Sequence, residues 1–264
     1  MNPATSPALF ASVEVLYTPA DFGTLPARDL GGAACVVFDI LRATTSIVTA
    51  LANGASAVIP AAEIDEALAL RAARPDLLLA GERHGLRIGA AQTGGVEFDF
   101  GNSPREFTAE RVRGRILVTT TTNGTRALRA CAGASAVLVA SFLNLEATAQ
   151  RLLRHPPRQL FVVCSGTFEE AAYEDALAAG ALLERLAAQY DLNRAADSAL
   201  IARQLWRLAS PDLPAAIRQA RNARKLLGIP ELADDVAFSL RQDVLPLVAG
   251  VSPQGEIRVL PASE

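Results

Sequence analysis

The pentapeptide GASAV occurs twice, at Gly54 to Val58 and at Gly133 to Val137, an offset of 79 residues (133 − 54). Each copy follows an apolar run, a hydroxyl-bearing turn and a segment of helical length, and each leads into a new apolar run. At the same offset Asp39 falls on Val118, and Thr44-Thr45-Ser46 falls on Asn123-Gly124-Thr125. Recurring strand, turn, helix and strand constrain the chain to an α/β fold, because parallel strands need a crossover, usually helical, between them. Chance recurrence of five small residues in an alanine-rich chain is the competing reading.

The rest of the chain keeps the alternation. Strands are predicted at Ser12 to Tyr17, Ala33 to Phe38, Ala57 to Ile59, Leu77 to Leu79, Ile116 onward, Ala136 to Val139 and Leu160 to Val163. Continuous apolar runs such as Ala33 to Phe38 suit central parallel strands buried on both faces. Helices are predicted from Leu41 to Ala52, Glu63 to Ala73, Ser103 to Val112 with Ser103 as N-cap and Pro104 at the first position, Leu145 to Leu153, and Ala172 to Ala188, with two or three more between Ala195 and Leu227. Leu86 to Gly101 reads as a long loop, and Val244 to Val248 with Ile257 to Leu260 reads as a terminal hairpin. The expected architecture is a mainly parallel sheet core with helices on both faces, an internal duplication of strand–turn–helix units and a C-terminal hairpin. Residues 1–264 are read as one α/β unit whose halves, 1–113 and 114–264, share one crevice at the carboxyl ends of the strands.

Composition narrows the function classes. Half of the residues are apolar and one fifth charged, as in a globular domain, and a net charge of −3 gives no electrostatic case for nucleic acid. The N-terminal MNPATSPALFAS has neither a basic leader nor a long apolar segment, and no later run approaches the ~20 residues that span a bilayer. A cytoplasmic protein without a membrane partner is therefore expected. Cys35, Cys131 and Cys164 are odd in number and sit in apolar surroundings, so reduced core thiols are expected. No Cys/His spacing suggests zinc, and His84 and His155 are isolated. Lys225 is the only lysine, a bias in basic residues that we read as genomic.

Chemistry concentrates where strands end. In ILVTTTTNGTR, Ile116 to Arg126, a β-branched strand passes through four threonines into an Asn-Gly turn, with Thr125 placed to cap a helix beginning near Arg126. Unpaired N–H groups at a helix start, with hydroxyls beside them, suit an oxyanion such as phosphate. Thr122, Asn123, Gly124, Thr125 and Arg126 are the candidates here, and Thr44, Thr45 and Arg42 are their counterparts in the first unit. An ordinary capped turn accounts for the same residues, since GxxxxGK[ST] is absent. Carboxylates also follow strands, at Asp39 and Glu82, with Glu174, Asp175 and Asp235 further along. Acids beside a phosphate repel it unless a cation intervenes, and oxygen-rich sites suit Mg2+. That combination points to metal-dependent phosphoryl transfer. Each acid also has a structural reading: Glu82-Arg83 as a local pair, Glu174 and Asp175 as favourable charges at a helix start, Asp234-Asp235 as a turn pair.

Two other phosphatase chemistries fit poorly. The haloacid-dehalogenase motif needs a second Asp two residues after the nucleophile, where Leu41 stands, and a cysteine phosphatase loop needs an arginine where Cys164-Ser165-Gly166 continues into Thr167-Phe168-Glu169-Glu170.

FDILRATTSIVTALANGA from Phe38, GER from Gly81, FDFGNSP from Phe98, TTNGTRAL from Thr121, SFLN from Ser141 and EDALAAG from Glu174 together resemble the 2-phosphosulfolactate phosphatase family. The ordered matches extend from about Val36 to Asp243. The resemblance implies an Mg2+-dependent hydrolase that releases phosphate from (R)-2-phospho-3-sulfolactate, a step toward coenzyme M. It carries over to Asp39, Arg42, Thr44 and Thr45, to Glu82 and Arg83, to Asn102 and Ser103, to Asn123, Gly124 and Thr125, and to Glu174 and Asp175, with Asp235 and Asp243 matching weaker positions. Departures at Glu97, at Ser239 and between Cys164 and Tyr173 bear on substrate shape more than on fold. Many bacterial members of the family it resembles have no evident need for coenzyme M, so another small phosphorylated 2-hydroxy acid is an open alternative. We assign catalysis to Asp39, Arg42, Glu82 and Asp175, phosphate binding to Thr44, Thr45, Arg83, Asn102, Ser103 and the Thr122 to Arg126 stretch, and metal binding to Asp39, Glu82, Glu174, Asp175 and Asp235. A phosphometabolite sensor or a transferase using the same anion site are the competing functions. A homo-oligomer is expected, with a dimer among the candidates.

Overall fold

The computed structural model describes residues 12–187 and 195–261, so the N-terminal residues read as lacking a leader lie mostly outside it, as does the end of the helix predicted to reach Ala188. The chain runs β1 (Ser12–Leu16), α1 (Pro19–Phe22), β2 (Ala33–Phe38), α2 (Ala43–Ala52), β3 (Ala57–Pro60), α3 (Ile64–Ala73), β4 (Leu78–Arg83), β5 (Leu86–Arg87), α4 (Ala90–Thr93) and α5 (Ala109–Val112). It continues through β6 (Ile116–Thr120), α6 (Gly124–Ala130), β7 (Ala136–Ala140), α7 (Leu145–Arg154), β8 (Gln159–Cys164), α8 (Tyr173–Leu186), α9 (Asp197–Ala209), α10 (Leu213–Ile217), α11 (Arg221–Leu227), α12 (Ala233–Ser239) and the hairpin β9 (Ala249–Val251) and β10 (Ile257–Val259).

The strands form one sheet in the order β1-β8-β2-β7-β9-β10-β3-β6-β4-β5. Neighbours in β1-β8-β2-β7 and in β3-β6-β4 are parallel, and the hairpin bridges the two blocks by antiparallel pairing to β7 and β3. Followed through the hairpin, the ladder reverses sense, so the blocks run in opposite directions. The unit β2–α2–β3 leaves one block for the other, and β6–α6–β7 makes the return. The mainly parallel α/β core and the C-terminal hairpin thus match the expectation from sequence.

Strand alternation divides the interior. Val13, Val15, Val36, Phe38, Leu138, Leu160 and Val162 pack beneath α7, α8 and α9, while Cys35, Val37, Val137, Val139, Phe161 and Val163 pack against α2 and α6 on the opposite face. This two-sided burial is why β2 reads as an unbroken apolar run. α8 and α9 cross closely: a Cβ on Gly180 would lie 2.1 Å from the Ala202 carbonyl oxygen, so only glycine permits the approach. Cys35, Cys131 and Cys164 are free and buried, as expected. Among the described residues, no helix is long and apolar enough to cross a membrane.

Several boundaries differ from the sequence reading. The helix expected from Ser103 to Val112 is a 3-10 turn, Pro104–Glu106, followed by the single turn of α5. Between them Phe107 turns inward and stacks on Phe100 with ring centroids 5.0 Å apart, which interrupts the helical path. Val244 to Val248 is not a strand. Asp243 and Leu245 donate their N–H groups to the Phe142 and Leu143 carbonyls, which binds the segment to that turn and shifts the strand to Ala249. The Leu86 to Gly101 loop contains β5 and α4 and is anchored by buried Ile88, Phe98 and Phe100.

Candidate active site

The helices α2 and α6 start side by side. A Cβ on Gly124, the first residue of α6, would lie 2.9 Å from the Ala43 Cβ of α2 and 2.9 Å from Asp39 Oδ2. Asn123-Gly124 thus supplies a contact that any side chain would block, beyond being a turn signal. Asp39 follows β2 directly and Thr121 follows β6 directly, so by strand and helix boundaries Thr121 is the positional counterpart of Asp39. Val118, its partner at the sequence offset, is a buried strand residue.

A cleft opens above this junction. Asp39, Arg42, Glu82, Asn102, Thr122 and Asn123 line it among the residues singled out from sequence. Leu41, His84, Gly85, Thr121, the Gly166–Phe168 turn and four residues of α11, Arg221, Asn222, Lys225 and Leu226, complete the wall.

Asp39 is buried, and its Oδ1 accepts the Ala43 N–H at 3.1 Å. Burial pushes its carboxyl up to about 6; the Ala43 N–H and the Ser165 hydroxyl oppose that rise, and Glu82 adds to it by repulsion. Glu82, the penultimate residue of β4, acts as a clasp: Oε1 accepts from the Thr122 N–H at 3.1 Å and from its hydroxyl at 3.0 Å, while Oε2 accepts from the Gly85 N–H at 2.6 Å.

Glu174 and Asp175, in the first turn of α8, lie beneath the cleft and are buried. Asp175 Oδ1 accepts from the Ile40 N–H at 2.8 Å, and Oδ2 faces the Ser165 hydroxyl and the Gly166 N–H, both at 3.3 Å. Burial, then repulsion from Asp39 and Glu174, raises Asp175 well above the usual carboxylate range. Burial likewise raises Glu174, against its own N–H and the Asn222 amide. Asn222 donates to Glu174 Oε1 at 2.5 Å, but Glu174 Oε2 is buried without a hydrogen-bond partner. Three mutually repelling buried carboxyls, one with an orphaned oxygen, form an arrangement that a cation or a proton relieves.

The remaining candidates are placed otherwise. Asp235 is fully engaged: it accepts from Arg42 at 2.7 Å, from the Ser103 hydroxyl at 2.6 Å and from Arg105 at 2.8 Å. Its carboxylate therefore neutralises buried Arg42 instead of facing the cleft. Ser103 caps no helix, because its hydroxyl is committed to Asp235. Thr44 hydrogen-bonds with the backbone of Asp39, and Thr45 with the Ile40 carbonyl, so both hydroxyls face inward. Thr125 donates to the Thr121 carbonyl at 2.9 Å and provides no cap. Arg83 reaches Thr120 and the Glu82 carbonyl, away from the cleft lining. Arg126 is half-exposed and pairs with Glu169 at 2.9 Å. Among the described residues no three of His, Cys, Asp and Glu are grouped tightly enough for a ready-made metal site, so the five acids read from sequence do not make one centre.

Sequence reading placed helices between Ala195 and Leu227 but missed that α11 lines the cleft. Its Arg221, Asn222 and Lys225 occupy one face at helical spacing, but nothing local ties that short basic helix to a strand end far earlier in the chain. Phe168 was also missed; it holds a left-handed φ of 57° at the cleft mouth, its N–H donating to Asn123 Oδ1 at 3.2 Å.

Residues 23–253 match the sequence profile of the 2-phosphosulpholactate phosphatase family. A Symbiobacterium thermophilum protein named as a probable 2-phosphosulfolactate phosphatase is 37% identical over 237 residues, covering 89% of this chain and 97% of the relative. A similarly named Synechococcus protein is 37% identical over 242 residues, 89% and 95% of the two chains. One from Caldanaerobacter subterraneus is 41% identical over 173 residues, 65% and 68% of the two. With a profile match across most of its length and relatives aligned nearly end to end, the chain belongs to the 2-phosphosulfolactate phosphatase family.

Proposed function

We propose that the chain is a phosphoric monoester hydrolase that releases phosphate from 2-phosphosulfolactate, or from a related small phosphorylated 2-hydroxy acid, with Mg2+ as its cofactor. The observation that carries this reading is the convergence of Asp39 and the start of α6 on one cleft, with buried Glu174 and Asp175 directly below.

The donor set fits Mg2+, which commonly takes only one or two protein carboxylates and completes its shell with water and substrate phosphate. Asp39 and the unpartnered oxygen of Glu174 are the residues that would hold it. When bound, Mg2+ supplies charge neutralisation and Lewis-acid polarisation of the phosphoryl group. The protein's own part is positioning. Glu82 fixes the Thr122 and Gly85 backbones, Arg42 is held rigid between Asp235 and the Gly85 carbonyl at 2.7 Å each, and Asp175 holds the Ile40 N–H so that the β2–α2 turn keeps Asp39 in place. A carboxyl near 6 allows Asp39 to gain or lose a proton close to neutral pH.

The test is phosphate release from 2-phosphosulfolactate and from related phospho-2-hydroxy acids, with Mg2+ and with excess chelator. Turnover that chelator abolishes and Mg2+ restores supports the reading. Tight binding without turnover would instead identify a sensor, and product formed only with a second acceptor a transferase.

A further inference from the structure

The cleft is electrically divided. Asp39 and Glu82 line its floor, whereas α11 contributes Arg221 and Lys225, one helical turn apart, on the wall. Both lining arginines are engaged within the protein: Arg42 with Asp235 and Gly85, and Arg221 with Glu170 and, at 3.1 Å, the Thr167 carbonyl. Lys225 differs. Among the described residues no hydrogen bond or ion pair engages its ammonium, and it is exposed to the cleft. Its ammonium lies close over the β4–β5 turn, since a Cβ on Gly85 would lie 3.7 Å from Lys225 Nζ. Gly85 is also the residue whose N–H is held by Glu82 and whose carbonyl is held by Arg42, so the free cation lies beside a turn anchored at both its N–H and its carbonyl. This is the only lysine in a chain that otherwise uses arginine. A compact ammonium with rotatable donors suits a multi-oxygen anion that arrives with the ligand, while the neighbouring arginine forks are occupied.

We propose that Lys225, flanked by Arg221, forms a second-anion subsite that binds an acidic substituent of the substrate other than its phosphate, so that the site selects phosphomonoesters carrying a further strong anion. The proposal rests on the phosphatase reading for its substrates but assigns a wall of the cleft that reading leaves unused. It divides the labour physically: the carboxylate floor needs a cation before it can meet the phosphate, and the ammonium wall needs none before it can meet a carboxylate or sulfonate.

A ladder of secondary phosphomonoesters tests it: isopropyl phosphate with no second anion, 2-phospholactate with a carboxylate, and 2-phosphosulfolactate with a carboxylate and a sulfonate. For Lys225→Gln the loss in kcat/KM should grow along the ladder, reaching about ten- to a hundredfold on the most anionic ester and residing in KM. Lys225→Arg should recover most of it. An equal loss on all three esters, or none on any, overturns the subsite. Binding of 3-sulfolactate by calorimetry separates this from the phosphatase reading. If the wild type turns over none of the esters, the hydrolase reading fails, and the subsite still stands if Lys225→Gln weakens 3-sulfolactate binding and falls if it does not.

Discussion

Arg42 and Asp235, 193 residues apart in sequence, meet in a buried ion pair at 2.7 Å with side chains 3% and 0% exposed. The pair ties the β2–α2 turn to α12, and Ser103 and Arg105 join it from a third segment. Removing one partner leaves an uncompensated buried charge, so Asp235→Ala should cost about 3–5 kcal/mol. A double variant, Arg42→Met with Asp235→Leu, should recover a substantial part of that stability without recovering activity. Urea unfolding of the two single variants and the double variant measures the coupling; additive losses would show that the pair does not act as a unit.

Gly124 permits the contact between the two helix starts. Gly124→Ala places a Cβ 2.9 Å from Asp39 Oδ2 and 2.9 Å from Ala43 Cβ, so the turns must separate. Overpacking of this kind costs about 1–3 kcal/mol. The expected outcome is a lower unfolding midpoint together with reduced turnover, because the side chain displaced is Asp39. Wild-type turnover at any temperature where the variant remains folded would refute the coupling of that contact to catalysis.

Asp39 should make stability depend on pH in a definite direction. Its folded-state carboxyl sits at about 6 against an ordinary 3.8, so the folded protein holds this proton more tightly than the unfolded chain. The contribution is fully present below pH ~4 and is lost as pH rises through 6, a difference worth about 3 kcal/mol. Asp39→Asn, neutral at every pH, should therefore melt higher than wild type at pH 8 and equally at pH 4, both measured in chelator. The variant should also be inactive. A melting difference that does not change between the two pH values would contradict burial as the cause.

Glu82 clasps the β4–β5 and β6–α6 turns through three donors, the Thr122 N–H, the Thr122 hydroxyl and the Gly85 N–H. Glutamine has one oxygen where the carboxylate has two, so Glu82→Gln leaves a donor unpaired, at a cost of about 1–3 kcal/mol. Thr122→Val should cost less, because the backbone N–H keeps its acceptor. Amide hydrogen exchange should show faster opening at Gly85 and Thr122 in the glutamine variant, with protection retained in β8. Unchanged exchange at both turns would remove Glu82 as their common anchor.

Local chemistry determined much of this protein in advance. Unbroken apolar runs at Ala33 to Phe38 and Leu160 to Val163 specify buried parallel strands, and Glu174 and Asp175 mark a helix start because the dipole favours acids in the first turn of α8. The ordered motifs around Asp39, Glu82, Asn123 and Glu174 were sufficient to place the chain in its family. What the sequence could not decide was where each polar side chain is engaged. Thr44, Thr45 and Thr125 are hydroxyls at helix starts in every sequence description, yet their neighbours in space are backbone carbonyls and N–H groups, so they stay inward. Asp235 resembles any turn acid until Arg42, Ser103 and Arg105 converge on it from distant segments. Lys225 reads as compositional accident until the fold sets α11 over Gly85. Periodicity and turn chemistry act within a few residues and are therefore legible along the chain, whereas burial, repulsion and ion pairing depend on distances that exist only once the two strand blocks are joined through the hairpin.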